Sequence, residues 1–153
     1  MKHLIFLSFC LLIFTGCGGK YELGDYYSRD GVKGVVVAAD DDGGATMIMS
    51  LFEASNLDSD SAKLWAEGLE DGWRLPTADE MKIVNKYKSL INITLRNHNE
   101  PTILTGHTFY WTSTPAEQSH VYACGPDGVK GYFYNNKSPH YRARAVRELR
   151  MEN

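Results

Sequence analysis

The order of residue patterns along the chain predicts an α+β fold built on an antiparallel sheet. A run rich in β-branched residues occupies residues 32–52, two helix-like patterns follow over residues 61–97, and strand-like aromatic runs fill residues 108–149. Strands that precede and follow a block of helices are typical of the α+β class. The length of residues 32–150 suits a single domain with one hydrophobic core.

The first sixteen residues have the pattern of a signal peptide. Lys2 precedes an apolar run over residues 4–14, which is too short to span a bilayer. Small residues then lead to Cys17, which resembles the lipid-attachment cysteine of bacterial lipoproteins. The resemblance implies a lipid such as palmitate on Cys17 and residues 17–31 as a tether and N-terminal segment. The alternative is an ordinary cleaved signal followed by a chance cysteine.

In bacterial lipoproteins, the residue after the lipidated cysteine indicates whether the protein stays at the inner membrane or moves to the outer membrane. No acidic residue follows Cys17 directly. The resemblance to lipoproteins therefore implies retention at the bacterial outer membrane, in the cell envelope, with the anchored protein on either face of that membrane.

Composition excludes several classes of protein. The formal net charge is −3 and no basic run appears, so we expect no nucleic-acid partner. Of the three cysteines, only Cys124 lies beyond the lipid site, so no intrachain disulfide is expected and Cys124 is predicted to be a buried apolar residue. The five histidines have no metal-ligand spacing, and we expect neither a metal nor a cofactor.

A β-hairpin is predicted over residues 32–52. Two apolar runs flank the acidic, glycine-rich residues 40–44, and their continuous apolarity predicts strands that are covered on both faces. The three aspartates there are consecutive, and Leu51 stands where a calcium loop of the EF-hand type needs glutamate. They therefore indicate a hairpin tip rather than a metal site. Residues 21–31 and 53–60 are expected to be polar turns and loops.

A sharp corner is predicted between the first helix and the second. The first helix should cover residues 61–69, burying Leu64, Trp65 and Leu69. Thr77 and Glu80 then have the spacing of a capping box, which starts the second helix at residue 78. An apolar stripe continues with a break near Ser89. The stripe consists of Met81, Val84, Tyr87, Ile91 and Leu95.

The last third of the chain should form strands. The runs cover residues 108–114, 120–124, 129–134 and 141–149, and the last carries Arg142, Arg144 and Arg147 at interleaved positions. Thr112, and the two hydroxyl residues that follow it, can pair across strands.

Three motifs together resemble the Lcl C-terminal domain family, here in a lipoprotein of the Bacteroides type. They are Gly72-Trp73-Arg74-Leu75-Pro76-Thr77 with Glu80, Tyr110-Trp111-Thr112-Ser113-Thr114, and Arg144-Ala145-Val146-Arg147. The resemblance implies a C-type-lectin-like fold, similar to that of the formylglycine-generating enzyme, with two main helices and a preceding β-hairpin. The motif residues are interpreted as structural: Trp73, Arg74, Leu75, Pro76, Thr77, Glu80, Tyr110, Trp111, Ser113, Arg144 and Arg147.

The anchor and the lectin-like resemblance favour a non-catalytic binding or adhesion module for a glycan or protein. Aromatic rings interleaved with amides suit either kind of ligand. We expect the site within residues 112–141, although each tyrosine there could simply pack in the sheet. The candidate ligand-binding residues are Trp111, Tyr122, Tyr132, Tyr134, Asn135, Asn136, His140 and Tyr141.

Two other functions are open. One is a structural component of a surface assembly, such as a pilus or a polysaccharide-use complex, which the sequence does not separate from a binding module. The other is an enzyme of the formylglycine-generating type. That chemistry needs a cysteine pair, whereas only Cys124 remains beyond the lipid site, so no enzymatic activity is expected.

Overall fold

The computed structural model describes residues 20–116, 120–125, 130–134 and 140–149, with the backbone alone described for residues 120 and 130–134. The predicted signal peptide, Cys17, Asn135 and Asn136 lie outside the described residues. The strands are β1 Tyr26–Arg29, β2 Val32–Ala39, β3 Ala45–Met49, β4 Ala54–Leu57, β5 Tyr110–Pro115, β6 His120–Cys124, β7 Lys130–Tyr134, β8 Tyr141–Ala143 and β9 Val146–Glu148. The helices are α1 Ser59–Glu67, α2 Ala78–Lys86 and α3 Lys88–Asn97.

The described strands form two sheets, which confirms the α+β class. One sheet has the order β1-β2-β3-β9 and is antiparallel throughout. The other has the order β4-β8-β5-β6-β7 and contains one parallel pair, β5 with β8. The expectation of purely antiparallel pairing was therefore wrong for the second sheet.

The predicted hairpin is present, and two strands around it were missed. Strands β2 and β3 pair antiparallel across an acidic turn, where the backbone N–H of Gly44 donates to the Asp40 carboxylate at 2.7 Å. Strand β1 lies in the expected N-terminal segment and pairs with β2 along its length. Strand β4 lies in the expected polar loop and pairs with β8. Both strands are short and largely polar, so their apolar pattern is weak.

The corner before α2 has the predicted capping box. The backbone N–H of Glu80 donates to the Thr77 hydroxyl at 3.2 Å, and that of Thr77 donates to the Glu80 carboxylate at 2.7 Å. The helical run breaks at Tyr87, two residues before the expected position, because Tyr87 leaves helical geometry between α2 and α3. The apolar stripe faces the core as predicted.

Arg74 ties this corner to the end of the chain. Its guanidinium donates to both oxygens of Glu80 at 2.8 and 2.9 Å and to Glu148 at 2.8 Å. Its backbone forms a β-bridge with Val146. Hydrogen bonds with Glu80 are the main reason that the pKa of Arg74 is raised. The motif residue thus holds two carboxylates with its fork of donors.

Helix α1 buries a different face from the one predicted. It starts at Ser59, with Asp58 as N-cap, and it ends at Glu67, with Gly68 as C-cap. Ala62 and Ala66 are buried, whereas the side chain of Leu64 is 69% exposed. A residue two positions away on a helix points about 200° around the axis, so Leu64 lies opposite the alanine face. The expectation that Leu64 is buried was wrong, and Trp65 and Leu69 are only partly buried.

The closing strand predicted over residues 141–149 is split between the two sheets. Strand β8 belongs to the five-stranded sheet and β9 to the four-stranded sheet. Between them Arg144 and Ala145 are buried. The backbone N–H of Ser50 donates to the Ala145 oxygen, and the backbone N–H of Ala145 donates to the Ser50 hydroxyl. The turn of the chain at Arg144 therefore joins the sheets.

Two clusters of buried side chains form the core. The first combines residues of both sheets with the helices α2 and α3, and it contains the buried Cys124 as predicted. The second packs α1 against Leu75, Trp111 and alanines of the five-stranded sheet. Within the described part of the chain, no helix has the length and apolarity to cross a membrane.

Candidate functional site

The tryptophan expected to bind a ligand lies in the core. Trp111 is fully buried in the second cluster, and its indole N–H donates to the backbone oxygen of Leu57 at 2.8 Å. The Tyr141 ring packs on it with centroids 5.3 Å apart. Trp111 therefore has no ring face open to a ligand, and its role as a structural motif residue accounts for its position.

The other candidates are dispersed or only partly described. Tyr122 packs against the first core cluster, and Tyr141 is partly buried between Trp111 and Phe109. His140 is exposed. Tyr132 and Tyr134 lie on β7, which is described by its backbone alone, and Asn135 and Asn136 lie outside the described residues. The described residues do not bring this set together as one site.

A groove lined by aromatic rings lies elsewhere, between the loop that follows α1, the start of β2 and the segment that follows β3. Its volume is about 360 Å³, and Phe52, Leu69 and Trp73 supply its apolar lining. The Phe52 side chain is 46% exposed, and its ring meets Trp65 edge-on with centroids 6.2 Å apart. We call this site, lined by Phe52, Leu69, Trp73, Lys33, Asp71 and Arg147, the aromatic groove.

The polar lining of the aromatic groove comes from Lys33, Asp71 and Arg147. The Arg147 guanidinium lies 3.8 Å from the Asp71 carboxylate, and the Asp71 side chain is 78% exposed. A pair at this distance and exposure contributes little stability, so both groups are available to a ligand at small energetic loss. Charged donors and acceptors therefore lie beside the exposed ring of Phe52 and the partly buried ring of Trp73.

The loop that carries Asp71 has an unusual backbone. Glu70, Asp71 and Gly72 have φ angles of 61°, 50° and 84°, three consecutive residues in the left-handed region. That conformation costs non-glycine residues about 1–2 kcal/mol each. Strained backbone of this kind concentrates at binding sites, where the fold holds a side chain in place. The strain occurs where Asp71 enters the aromatic groove.

A buried ionic cluster lies behind the wall of this groove. The Glu53 carboxylate, whose side chain is only 2% exposed, pairs with Arg142 and with Arg144, the latter at 3.4 Å. It also accepts a hydrogen bond from the Tyr110 hydroxyl at 3.1 Å. We call Glu53, Tyr110, Arg142 and Arg144 the ionic cluster. Sequence patterns alone missed Glu53, whose charged neighbours are distant in the chain.

Arg144 fixes the segment that precedes Glu53. One terminal nitrogen donates to the backbone oxygens of Ser50 and Leu51, each at 2.9 Å, and the other donates to the Thr102 oxygen at 2.8 Å. Burial lowers the pKa of Arg144, and the charge of Glu53 opposes that effect. Since arginine stays protonated in proteins, its fork of donors holds residues 50–53 in place. Phe52 is thereby presented at the aromatic groove.

Tyr110 provides a titration that reports on the ionic cluster. Burial is the main cause that raises the pKa of Tyr110 to about 12. A pKa raised on folding contributes stability that is complete below the unfolded value, near 10, and is lost as pH rises toward 12. We expect absorbance at 295 nm to show a late-ionising component that Tyr110→Phe reduces. Loss of that component in Tyr21→Phe instead, with Tyr110→Phe unchanged, would contradict this placement.

Comparisons with known proteins add no functional information. The sequence matches no protein-family model, and no curated protein matches it. The resemblance to the Lcl C-terminal domain family therefore stays a prediction from its three motifs. Among the described residues, no group of three or more histidine, cysteine or acidic side chains is placed to hold a metal ion.

Proposed function

We propose that the protein is a lipid-anchored cell-envelope module that binds a glycan, without catalysis, in the aromatic groove. The observation that carries the proposal is the exposed ring of Phe52 and the partly buried ring of Trp73 beside the charged side chains of Asp71 and Arg147. The apolar face of a sugar ring packs on aromatic rings, while its hydroxyls exchange hydrogen bonds with charged groups.

The dimensions of the groove support a small saccharide. Ligand sites in proteins occupy about 300–1,000 Å³, and the aromatic groove, at about 360 Å³, is at the lower end. A volume of this size suits one or two sugar units at the end of a longer chain. The strained loop at Glu70 and Asp71 and the anchoring of residues 50–53 by Arg144 preorganise both walls, which lowers the entropy lost on binding.

The fold proposed with this function is C-type-lectin-like. Support comes from the three motifs and from their packing, in which the corner before α2, the strand β5 and the strand β9 meet around Arg74 and Ser113. Ser113 donates its backbone N–H to Pro76 at 2.8 Å. The motif residues that serve this framework also place Trp73 at the groove, so the family motif has a part in the proposed site.

The binding experiment is a glycan array probed with the purified protein and with Phe52→Ala. Because Phe52 is exposed, its truncation should leave stability nearly unchanged and weaken binding to the selected glycan about tenfold, equal to about 1.4 kcal/mol. Leu64→Ala is the matched control, since it removes an exposed apolar side chain outside the aromatic groove. Equal binding by the Phe52 variant and the wild type, or no glycan bound at all, would refute the proposal.

A structural role in a surface assembly is the alternative function. Exposed apolar residues on the helices, Ile83, Leu90 and Ile93, favour contact with a protein. Co-purification of a partner through the lipid anchor, lost in Leu90→Ser and retained in Phe52→Ala, would favour this role over glycan binding.

The anchor has its own test. Cys17→Ser should remove incorporation of labelled palmitate and shift the protein from the membrane fraction to the soluble fraction. Cys124→Ser serves as the control, because Cys124 is buried in the core and its replacement should leave lipid labelling unchanged. Unaltered labelling or membrane attachment of Cys17→Ser would refute lipidation at this site.

A further inference from the structure

A second groove lies on the other side of the ionic cluster. It has a volume of about 620 Å³ between helix α3 and the loop of residues 101–107. Among the described residues that line it, the cationic side chains are Lys88, Arg96 and Arg142, and the acidic residue is Glu53. We call it the basic groove.

The helix α3 presents its two cations on one side. Lys88, Asn92 and Arg96 follow at intervals of four residues, so they share one face of the helix, and all three line the basic groove. Asn92 fixes the opposite wall, because its side-chain amide donates to the Leu104 oxygen at 2.9 Å and accepts from the Leu104 N–H at 2.8 Å. The helix and the loop are therefore held at a defined separation.

The cations reach the groove from more than one element. The Lys88 ammonium lies beside Gly106 in the loop, at 3.7 Å from the position that a Cβ on that glycine would take. Arg142 enters from β8, with its side chain 38% exposed although it pairs with Glu53. Arg96 is exposed and has no salt bridge with another described residue. Positive charge thus converges from α3 and from β8.

The charge of the groove is not neutralised by its own acidic residue. The Glu53 carboxylate is buried and already accepts hydrogen bonds from Arg142, Arg144 and Tyr110. Among the described residues that line the groove, three cations stand against one carboxylate, although the whole chain has a formal charge of −3. A cleft lined by one sign of charge concentrates ligands of the opposite sign.

We propose that the basic groove binds the carboxylate of a small ligand, either a free carboxylate or one carried by a sugar. The observation that carries this assignment is the convergence of Lys88, Arg96 and Arg142 on one groove. The guanidinium of Arg142 already holds one carboxylate there, that of Glu53. Guanidinium and ammonium groups match carboxylate oxygens with charge-assisted hydrogen bonds. Residues 50–53 separate this site from the aromatic groove, since Phe52 lines one and Glu53 the other.

The test is a calorimetric titration of the purified protein with glucuronate, acetate and glucose at low salt. Glucuronate should bind and glucose should not, and affinity should fall several-fold between 20 and 200 mM NaCl because salt screens the exposed charges. Arg96→Gln and Lys88→Gln should each weaken glucuronate binding at least fivefold. Lys63→Gln, an exposed lysine on α1, is the matched control and should bind as the wild type does.

The remaining outcomes separate the sources of the carboxylate and the two grooves. Acetate that binds as tightly as glucuronate identifies a site for the free group, and weaker acetate binding identifies a sugar acid. Phe52→Ala should leave glucuronate binding unchanged, because Phe52 is not among the residues that line the basic groove. The proposal for the aromatic groove can therefore fail while this one stands. No heat of binding with glucuronate or acetate, equal binding of glucose that persists in Phe52→Ala, or full affinity in both Arg96→Gln and Lys88→Gln would overturn the proposal.

Discussion

The largest loss of stability is expected for Arg144→Met, which should lower the free energy of unfolding by about 3–5 kcal/mol. Arg144 is fully buried and donates to the backbone oxygens of Ser50, Leu51 and Thr102 as well as to Glu53. Removing its charge leaves the buried oxygen of Ser50 and the partly buried oxygens of Leu51 and Thr102 without that donor. Among the described residues, Glu53 then keeps Arg142 as its cationic partner. The measurement is urea-induced unfolding.

Two variants define the cause of this loss. Lys63→Met removes a cation from an exposed pair at 3.9 Å with Glu67 and should change stability by less than about 0.5 kcal/mol. Arg144→Lys keeps the charge but lacks the planar fork of donors, so its stability should lie between those of Arg144→Met and Lys63→Met. A loss below about 1 kcal/mol in Arg144→Met would show that the ionic cluster does not hold the sheets together.

Trp111→Ala should destabilise the protein by a similar amount, about 3–5 kcal/mol. The indole is fully buried among Ala62, Ala66 and other residues of the second cluster, and its N–H is bonded to Leu57. Truncation removes apolar contacts, opens a cavity and leaves the Leu57 oxygen without that donor. Thermal unfolding followed by circular dichroism measures the effect.

The control for the tryptophan is Leu64→Ala, because Leu64 is 69% exposed on the outer face of α1. Its replacement should leave the melting temperature nearly unchanged. If Leu64→Ala destabilised the protein more than Trp111→Ala, the orientation of α1 and the composition of the second cluster would both be refuted.

Elements with a strong local signal were predicted from the sequence. The hairpin over residues 32–52, the capping box at Thr77 and Glu80, and the apolar stripe of α2 and α3 depend on neighbouring residues alone. The buried position of Cys124 followed from its isolation among the cysteines. Such features can be derived from one sequence because spacing along the chain fixes them.

Features that depend on distant contacts were not predicted. Strands β1 and β4 are recognisable only through their partners β2 and β8. Glu53 and Arg144 are 91 residues apart in the chain, so no local pattern joins them. The aromatic groove combines Lys33, Phe52, Trp73 and Arg147. The available signal in the sequence was that Phe52 and Trp73 are aromatic residues outside any helical apolar stripe.

The corner before α2 has a second role that the motif alone did not indicate. Trp73 was interpreted as a scaffold residue, and it does contact the second core cluster. It also lines the aromatic groove. Since Arg74 bridges to β9 while Trp73 faces the groove, the packing of the framework and the shape of the proposed site depend on adjacent residues.

The most direct test of the aromatic groove is an NMR titration of the indole N–H signals with the glycan selected on the array. The chain has three tryptophans, of which Trp73 lines the groove, Trp65 contacts Phe52, and Trp111 is buried. We expect the Trp73 signal to shift most, Trp65 to shift less and Trp111 to stay in place. A shift at Trp111 with no change at Trp73, or saturable binding that moves neither Trp73 nor Trp65, would contradict the account.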